Sequence, residues 1–299
     1  MFTKPILKWV GGKTQILPLL IDTMPREMNN YREPFVGGGS VLLAVLDLLS
    51  RKEIVIKGRV YAYDSNPNLI LLYQWIQKDA EKLYEKVESY ACQYRDCPQL
   101  NGDRTLVDEK KAAACSKESY YYWMRKEYNS PHTDELSRAA LFIMLNKTGF
   151  RGMYREGPNG FNIPFGNYKN PTIASLDHLK CVSKLIKFVE FECCDFNDSI
   201  PQSTKGDIVY LDPPYVPLNA TSFVGYTKGG FSRHEELFTL MNELSPDIGF
   251  ILSNSNTPLV TDFFKDDKRY TICHVECKRR IHSKKPNSKA DEVVISTKK

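Results

Sequence analysis

The residues best suited to chemistry in this chain are Asp212, Pro213, Pro214 and Tyr215, which directly follow an apolar run at positions 208–211. The run is typical of a buried strand, so these four residues are expected at the carboxyl edge of a sheet. The two prolines have no backbone N–H and a fixed φ, so they hold the strand exit rigidly and present carbonyl acceptors. Aspartate and carbonyl oxygens match a substrate amine with two N–H donors, and tyrosine offers a flat face for stacking. The pattern therefore predicts a binding site for a planar aromatic amine.

A glycine turn near the start of the chain predicts a second binding feature. Residues 31–36 are typical of a strand, three glycines follow at positions 37–39, and an apolar helix is predicted over residues 40–46. In an open α/β sheet, ligands bind beyond the carboxyl ends of the strands, where glycines let them approach the backbone. The spacing is not G-x-G-x-x-G, so a dinucleotide is not favoured, and the turn alone could be merely tight. Asp64 ends the next predicted strand, where a carboxylate can accept both hydroxyls of a ribose, so the two features together favour a nucleoside-containing cofactor.

The elements that must position these residues alternate between strand and helix at both ends of the chain, but not in the middle. Predicted strands lie at residues 31–36, 59–63, 188–194, 207–211, 249–252, 270–275 and 292–297, and predicted helices at residues 15–23, 40–46, 66–77 and 235–244. Residues 78–170 are polar, tyrosine-rich and helical in places. This organisation predicts one discontinuous α/β domain, residues 1–77 and 171–299, interrupted by an insert over residues 78–170.

The composition is that of an ordinary globular protein. Of the 299 residues, 42% are hydrophobic and 26% are charged, and no apolar run approaches the length that spans a membrane. The first residues run directly into the Trp-Val-Gly-Gly-Lys stretch at positions 9–13, which leaves no room for an apolar signal segment. We therefore expect a cytoplasmic protein with no membrane partner.

Cysteine spacing and charge distribution add two weaker indications. The eight cysteines contain no C-x-x-C pair, which favours reduced thiols and no bound metal, although Cys273 and Cys277 with His274 and His282 stay open as an alternative ligand set. The net charge is only +5, but residues 278–289 contain six lysines or arginines and no carboxylate. This stretch is predicted to be a basic loop, either simply solvated or in contact with phosphates.

Six segments, in order along the chain, resemble the Dam family of DNA adenine methyltransferases. They are Leu7-Lys8-Trp9-Val10-Gly11-Gly12-Lys13, Glu33-Pro34-Phe35-Val36-Gly37-Gly38-Gly39-Ser40, Asp64-Ser65-Asn66, Phe161-Asn162-Ile163-Pro164-Phe165-Gly166, Asp212-Pro213-Pro214-Tyr215 and Leu252-Ser253-Asn254. The resemblance runs nearly end to end. It implies a Rossmann-like class I methyltransferase fold that uses S-adenosyl-L-methionine (AdoMet), with a target-recognition domain of helices and a β-hairpin in the insert. The implied substrate is adenine in double-stranded DNA.

The resemblance also implies which residues bind the cofactor and carry the reaction. The cofactor-binding residues would be Trp9, Lys13, Glu33, Phe35, Gly37, Gly39, Asp64, Asp195, Phe196 and Asp212. The catalytic residues would be Asp212, Pro213, Pro214 and Tyr215. Asp195 and Phe196 would hold the adenine of AdoMet, while Asp212 and the Pro213 carbonyl would orient the target amine for direct in-line transfer. The target adenine must leave the duplex, which costs a few kcal/mol that stacking on Tyr215 would partly offset.

DNA recognition is assigned by the same resemblance. The DNA-binding residues would be Lys8, Phe150, Arg151, Met153, Arg155, Pro164 and Tyr168. Residues 146–155 resemble the β-hairpin that enters the duplex, with Arg155 at the guanine-reading position and Phe150 as a wedge beside the extruded base. GATC is the implied target. The sequence departs from the family pattern twice in this region. Arg151 stands where relatives often have asparagine, and residues 95–119 look like an insertion relative to shorter members of the family.

Several alternatives stay open at this point. The D-P-P-Y segment also resembles enzymes that methylate cytosine, RNA or glutamine amines, although the Lys-Trp-x-Gly-Gly-Lys opening at residues 8–13 is more specific. A catalytically silent DNA-binding module is a rival of another class, against which the intact D-P-P-Y segment and glycine turn argue. A restriction partner, a solitary bacterial enzyme and a phage enzyme are all compatible with these residues, as is any oligomeric state.

Overall fold

The structure is a computed structural model that describes residues 2–100, 102, 108–217, 231–244, 246–278 and 289–298. The chain divides into two compact units. The insert unit contains residues 3–12 and 66–187, and the sheet unit contains residues 13–65 and 188–299.

The described elements follow in chain order. The helices are α1 Leu17–Thr23, α2 Ser40–Ser50, α3 Pro67–Lys78, α4 Ala80–Asp96, α5 Lys110–Ala113, α6 Lys117–Asn129, α7 Glu135–Thr148, α8 Leu176–Leu185, α9 Phe196–Ser199, α10 His234–Glu243 and α11 Pro258–Phe264. The strands are β1 Glu27–Met28, β2 Tyr31–Glu33, β3 Val55–Ile56, β4 Val60–Asp64, β5 Glu156–Gly157, β6 Gly160–Phe161, β7 Val189–Cys193, β8 Ile208–Leu211, β9 Gly249–Ser255, β10 Tyr270–Lys278 and β11 Lys289–Thr297. Short 3-10 turns lie at Phe150–Gly152 and Ile200–Gln202.

A seven-stranded mixed sheet organises the sheet unit, with the strand order β10-β11-β9-β8-β2-β4-β7. Strands β7, β4, β2, β8 and β9 pair in parallel, whereas β11 is antiparallel to both β9 and β10. The predicted α/β class is therefore confirmed, and the sheet is consistent with a methyltransferase-like fold.

The strand order reverses at β2, the first strand of this sheet in the chain. The chain passes from β2 to β4 and β7 on one side, and then returns to β8 and β9 on the other. In open α/β sheets, ligands bind in the crevice at such a switch point, beyond the carboxyl ends of the strands. The glycine turn follows β2 and the D-P-P-Y segment follows β8, so both predicted features lie at this edge.

Burial explains why these segments form the core of the sheet unit. Val209, Tyr210 and Leu211 of β8 are fully buried, as expected for a parallel strand covered on both faces. Helix α2 follows the glycine turn, and eight consecutive residues from Val41 to Leu48 are buried, which accounts for its apolar sequence. A buried strand therefore precedes the D-P-P-Y segment, and a buried helix follows the glycine turn.

The insert unit is mainly helical, as the lack of β/α alternation predicts. Helix α7 is buried almost all round, and α3, α4 and α6 pack against it. The predicted start of α3 is confirmed, because the Asn66 side chain accepts hydrogen bonds from the backbone N–H groups of Asn68 and Leu69, and Pro67 occupies the first turn.

The β-hairpin predicted at residues 146–155 is wrong in position. Helix α7 continues to Thr148, and the 3-10 turn Phe150–Gly152 follows. Arg151 and Gly152 have φ values of 57° and 65°, a left-handed conformation that cannot continue a strand. The hairpin lies immediately afterwards, where β5 and β6 pair as two short antiparallel strands.

The compact units also differ from the predicted domain boundaries of 1–77 and 171–299 against 78–170. Residues 3–12, α3 and α8 group with the insert, because α3 packs on α7 and α8, and α4 packs on α8. Which unit binds cofactor and which binds DNA stays a prediction.

Within the described residues, no helix is both long and apolar enough to cross a membrane.

Candidate active site and nucleic-acid interface

An ion pair lies at the carboxyl end of β8. Lys13 Nζ lies 2.7 Å from Asp212 Oδ2, and the same nitrogen lies 4.8 Å from the centroid of the Tyr215 ring. Lys13 is only 4% exposed, and a lysine that deep in a protein needs a partner. Burial raises the pKa of Asp212 to about 6, although Lys13 opposes that rise and Glu292 adds to it. The structure thus joins one predicted cofactor residue to two predicted catalytic residues.

The rest of the D-P-P-Y segment is fixed by buried partners. His234 Nε2 donates to the Pro214 carbonyl at 2.8 Å, and burial lowers the pKa of His234, which favours a neutral ring. The Val216 amide donates to Asn254 Oδ1 at 3.0 Å, and the Ser255 hydroxyl donates to the Val216 carbonyl at 2.6 Å. These hydrogen bonds hold the strand exit from α10 on one side and from β9 on the other.

Tyr215 is held at its far end by a residue that sequence reasoning missed. Its hydroxyl donates to Glu292 Oε2 at 3.1 Å. Glu292 lies on β11 opposite Ser255 of β9, so the antiparallel course of β11 brings its first residues to the carboxyl edge of the sheet. The only sequence signal is a pair of acids, Asp291 and Glu292, that opens an apolar strand.

A second buried carboxyl group belongs to the same edge. Glu33 ends β2 and is 2% exposed, and it accepts a hydrogen bond of 2.7 Å from the Tyr31 hydroxyl. Burial holds the pKa of Glu33 well above its usual value; the Tyr31 bond and Lys13 oppose the rise, and Asp212 adds to it. Glu33, Asp212 and Lys13 therefore interact electrostatically.

The glycine turn is tied to the end of the neighbouring strand. The Gly37 amide donates to Asp64 Oδ2 at 3.0 Å, which joins the turn after β2 to the last residue of β4. Gly37 and Gly39 have φ values of 47° and 73°, where residues with a Cβ are disfavoured. The glycines are thus required by the turn, and the bond fixes the orientation of the Asp64 carboxylate.

The residues predicted to hold the adenine of AdoMet lie together in an aromatic cluster. The ring centroids of Phe35 and Phe196 are 5.7 Å apart, and Asp195 caps α9 by accepting from the Asn197 amide at 3.0 Å. Arg233, which no local sequence pattern indicates, lies with a guanidinium nitrogen 3.0 Å from Asp195 Oδ2 and its guanidinium carbon 4.5 Å from the Phe196 centroid. Arg233 therefore both pairs with the carboxylate and covers the ring.

In the insert unit, the first residues of the chain are fastened to the end of α7 by a buried asparagine. Asn146 is 2% exposed; its Oδ1 accepts from the Lys8 amide at 2.8 Å, and its Nδ2 donates to the Lys8 carbonyl at 2.7 Å and to the Gly152 carbonyl at 3.1 Å. Trp9 follows directly, with its ring 5.6 Å from that of Tyr154. The structure assigns Trp9 to this unit, whereas the other predicted cofactor residues belong to the sheet unit.

Most predicted DNA-binding residues form one exposed cluster around the 3-10 turn. Lys8 Nζ lies 5.0 Å from the Tyr168 ring centroid, and the Tyr168 hydroxyl accepts from the Arg151 amide at 3.0 Å. The Arg151 guanidinium lies 5.1 Å from the Phe150 ring, and the Phe150 amide donates to the Pro164 carbonyl at 2.9 Å. Phe150 is 43% exposed, so its ring is open to solvent within this cluster.

Two further predicted DNA-binding residues flank this cluster. The Met153 amide donates to the Phe150 carbonyl at 3.2 Å, which closes the 3-10 turn. Arg155 precedes β5, is exposed, and donates from Nε to Asn162 Oδ1 at 2.7 Å. Lys147, which was not predicted, lies near Lys8, and burial together with Lys8 lowers the pKa of Lys147 to about 8.

In the part of the chain that the structure describes, no three His, Cys, Asp or Glu side chains lie close enough to hold a metal ion. His282 of the alternative ligand set lies outside the described residues, as do residues 279–288 of the predicted basic loop.

The chain is similar to DNA methyltransferases along nearly all its length. Residues 9–281 match the family described as D12 class N6 adenine-specific DNA methyltransferase. The type II methyltransferase M.MjaIII of Methanocaldococcus jannaschii is 37% identical over 295 residues, 95% of this chain and 94% of that protein. The type II methyltransferase M1.LlaDCHI of Lactococcus lactis is 29% identical, over 98% and 95% of the two chains. The DNA adenine methylase of Escherichia coli K12 is 28% identical, over 90% and 87%.

An α/β sheet with a glycine turn and a D-P-P-Y segment at one edge, together with these matches, defines an adenine-specific DNA methyltransferase. The chain belongs to the D12 class of N6 adenine-specific DNA methyltransferases. The predicted family and enzymatic activity are confirmed.

Proposed function

We propose that this enzyme transfers a methyl group from AdoMet to the exocyclic amine of an adenine that is flipped out of duplex DNA, within GATC. The observation that carries the proposal is the group formed by Asp212, Lys13 and Tyr215, in which a carboxylate acceptor and an aromatic face lie together at the sheet's switch point. We expect the enzyme to act on DNA in the cytoplasm.

The residues of the sheet unit fit AdoMet. The left-handed glycines Gly37 and Gly39 expose backbone between two strand ends, and Asp64 is oriented beside them for a ribose. Phe35 and Phe196 offer apolar rings for an adenine. When bound, AdoMet supplies a methyl group on a positively charged sulfur, and the carboxylates of this edge favour a cation.

The chain's own groups would act on the target amine. Asp212 and the Pro213 carbonyl accept hydrogen bonds from its two N–H groups, which directs the nitrogen lone pair toward the methyl group. Positioning of this kind supplies much of the rate enhancement. Lys13 holds the Asp212 carboxylate in one orientation through the 2.7 Å ion pair. The nitrogen would gain a methyl group and lose one proton, for which the Asp212 carboxylate would be the acceptor. Tyr215 stacks on the base and offsets part of the cost of extrusion.

Recognition of the duplex is assigned to the cluster around the 3-10 turn of the insert unit. Arg155 pairs with a guanine, Phe150 enters the stack, and Lys8, Arg151, Met153, Pro164 and Tyr168 contact the DNA around it. The exposure of Phe150 and Arg155 supports this role, and the relatives named as DNA adenine methylases support adenine as the target.

The test is expression of the chain in a host that lacks its own adenine methylation, followed by sequencing that detects methylated bases. We expect N6-methyladenine in a single motif, GATC. Methylation of another motif would overturn the GATC assignment alone. N4-methylcytosine or methylated RNA, identified after digestion to nucleosides, would overturn the substrate assignment. No methylation, combined with no AdoMet binding in calorimetry, would leave only a DNA-binding role.

A further inference from the structure

We propose that Glu292 is a positioning residue for methyl transfer, which holds the Tyr215 ring in the orientation that stacks on the target adenine. The inference rests on the proposed function, because the stacking role of Tyr215 is part of it. It adds a residue from the last strand of the sheet to a site otherwise built from the glycine turn and the D-P-P-Y segment.

The geometry gives Tyr215 two restraints beyond its backbone. Its hydroxyl donates to Glu292 Oε2 at 3.1 Å, and Lys13 Nζ lies 4.8 Å from the ring centroid. A tyrosine side chain turns about two torsions, χ1 and χ2. The hydroxyl oxygen lies on the χ2 axis, so its bond to Glu292 fixes χ1 and the position of the ring, while the Lys13 ammonium over the ring face restrains χ2. Lys13 is itself held by Asp212, so the ring and the catalytic carboxylate are fixed within one connected set of contacts.

The chemistry of the pair suits a fixed contact. Burial raises the pKa of Tyr215 well above its ordinary value, and Asp212 and Glu292 add to the rise. The phenol therefore stays protonated and can donate a hydrogen bond. A hydrogen bond to a carboxylate is stronger than one between neutral groups. The neighbouring acid, Asp291, has a different contact, because its backbone carbonyl accepts from the Asn256 amide at 3.0 Å.

The fold explains why the last strand can supply this residue. Strand β11 runs antiparallel to β9, so its first residues lie beside the last residues of β9, and Glu292 stands opposite Ser255. Ser255 holds the Val216 carbonyl at 2.6 Å. Consecutive residues of a strand point to opposite faces, so Asp291 and Glu292 face differently although both are acids at the same edge.

The experiment compares Tyr215→Phe, Glu292→Met and the double variant by single-turnover methyl transfer to duplex DNA. Tyr215→Phe keeps the ring and removes the donor, whereas Glu292→Met keeps the side-chain length and removes the acceptor. We expect each single variant to lose about tenfold in rate, as for a lost charge-assisted hydrogen bond. The double variant should be no slower than either, because both changes break one contact. Asp291→Asn, a carboxylate removed one residue away, is the matched control and should be near normal.

A second measurement separates positioning from general damage. Duplex DNA with 2-aminopurine at the target position reports stacking, because a stacked aromatic ring quenches its fluorescence. Tyr215→Phe and Glu292→Met should both give a brighter complex than the wild type, while AdoMet affinity in calorimetry and the melting temperature stay unchanged. Should Glu292→Met lower the melting temperature, Glu292→Ala in the wild-type and Tyr215→Phe backgrounds replaces it in the cycle, because alanine also removes the acceptor.

The inference is overturned when Glu292→Met matches Asp291→Asn in rate and fluorescence, or when the double variant loses the product of the two single losses. Both outcomes leave the proposed function intact as long as the wild-type protein methylates adenine. A wild-type protein that does not methylate adenine in duplex DNA instead contradicts the proposed function itself.

Discussion

The carboxyl edge of the sheet unit and the cluster around the 3-10 turn of the insert unit are built in opposite ways. The edge draws Lys13, Asp212, Tyr215 and Glu292 from segments far apart in the chain, and most of their polar contacts are buried or half-buried. The cluster comes from residues 146–168 together with Lys8, and its side chains are largely exposed.

This difference matches the roles proposed for the two regions. A reacting amine must be held at one geometry. At the edge, Lys13 contacts both Asp212 and the Tyr215 ring, and Glu292 binds the Tyr215 hydroxyl, so these side chains restrain one another. A duplex is bound over a wide surface, so affinity is divided among many exposed side chains that need only a fixed backbone. Changes at the edge should therefore affect catalysis strongly, and changes in the cluster should affect affinity or sequence preference more mildly.

The largest effect is expected for Asp212→Ala. The variant should lose methyl transfer by roughly a hundredfold to a thousandfold, as when one preorganised polar group is removed from an active site. Binding of AdoMet and DNA should persist, since several other residues contribute to each. A tritiated-methyl assay measures the rate, and calorimetry measures both affinities. Near-normal turnover would contradict the catalytic role of Asp212, and also the expectation that changes at the edge affect catalysis more than changes in the cluster.

The next largest effect is expected for Arg155→Ala. Loss of a bidentate arginine–guanine pair costs about 1–3 kcal/mol of discrimination, so preference for one guanine should fall roughly tenfold to a hundredfold. Asn162→Ala is the matched control: it removes only the partner of Arg155 Nε and should have a smaller effect of the same kind. Binding measured on the cognate duplex and on duplexes with single base changes tests this, and equal loss on all of them would make Arg155 a phosphate contact.

The pH dependence of the rate should report on the edge. The pKa of Asp212 is raised to about 6, so the carboxylate is ionised above that pH and becomes protonated below it. Single-turnover rates should fall about tenfold per unit below pH 6, because a protonated Asp212 loses acceptor capacity and its attraction to Lys13. Glu292→Gln should move this acid limb to lower pH, since Glu292 raises the pKa of Asp212. A flat profile between pH 5 and 7 would contradict the role given to Asp212.

The smallest effect is expected for Tyr168→Phe. The change removes the acceptor for the Arg151 amide, in a turn where Arg151 has a φ of 57°. One hydrogen bond at an exposed site contributes about 0.5–1.5 kcal/mol, so DNA affinity should fall roughly twofold to tenfold on every sequence. Tyr84→Phe on α4 removes a phenol elsewhere in the insert unit and should change nothing. A loss confined to one base position would instead assign Tyr168 to base recognition.

The sequence predicted the edge better than it predicted the cluster. Strand, glycine turn and D-P-P-Y are local patterns, so the elements carrying Gly37, Asp64 and Asp212 were found from neighbouring residues alone. Glu292 was missed because its partner Tyr215 lies 77 positions away, and only the antiparallel return of β11 brings the two together. His234 and Arg233 were missed for the same reason, as nothing near them in the chain indicates their partners.

In the insert unit the misplaced hairpin has a different cause. The hairpin was predicted a few residues too early, because consecutive left-handed residues at Arg151 and Gly152 depend on Tyr168 and Asn146, which hold the turn from elsewhere. The predicted domain boundaries followed the change in composition at residues 78 and 170. The compact units follow packing instead, and an apolar helix such as α3 shows no sign in its own sequence of the unit it will join.

The long passage between β4 and β7 has a consequence for how the protein reaches its native state. These strands are adjacent and parallel, yet the whole of α3–α8 lies between them in the chain. Pairing of these strands contributes contacts of high sequence separation, which slow folding. During synthesis, β2 and β4 leave the ribosome well before either β7 or β8, their remaining neighbours in the sheet. Their apolar surface stays uncovered for that interval, so the insert unit has time to fold first, and the edge proposed for methyl transfer is completed only when β11 has been made.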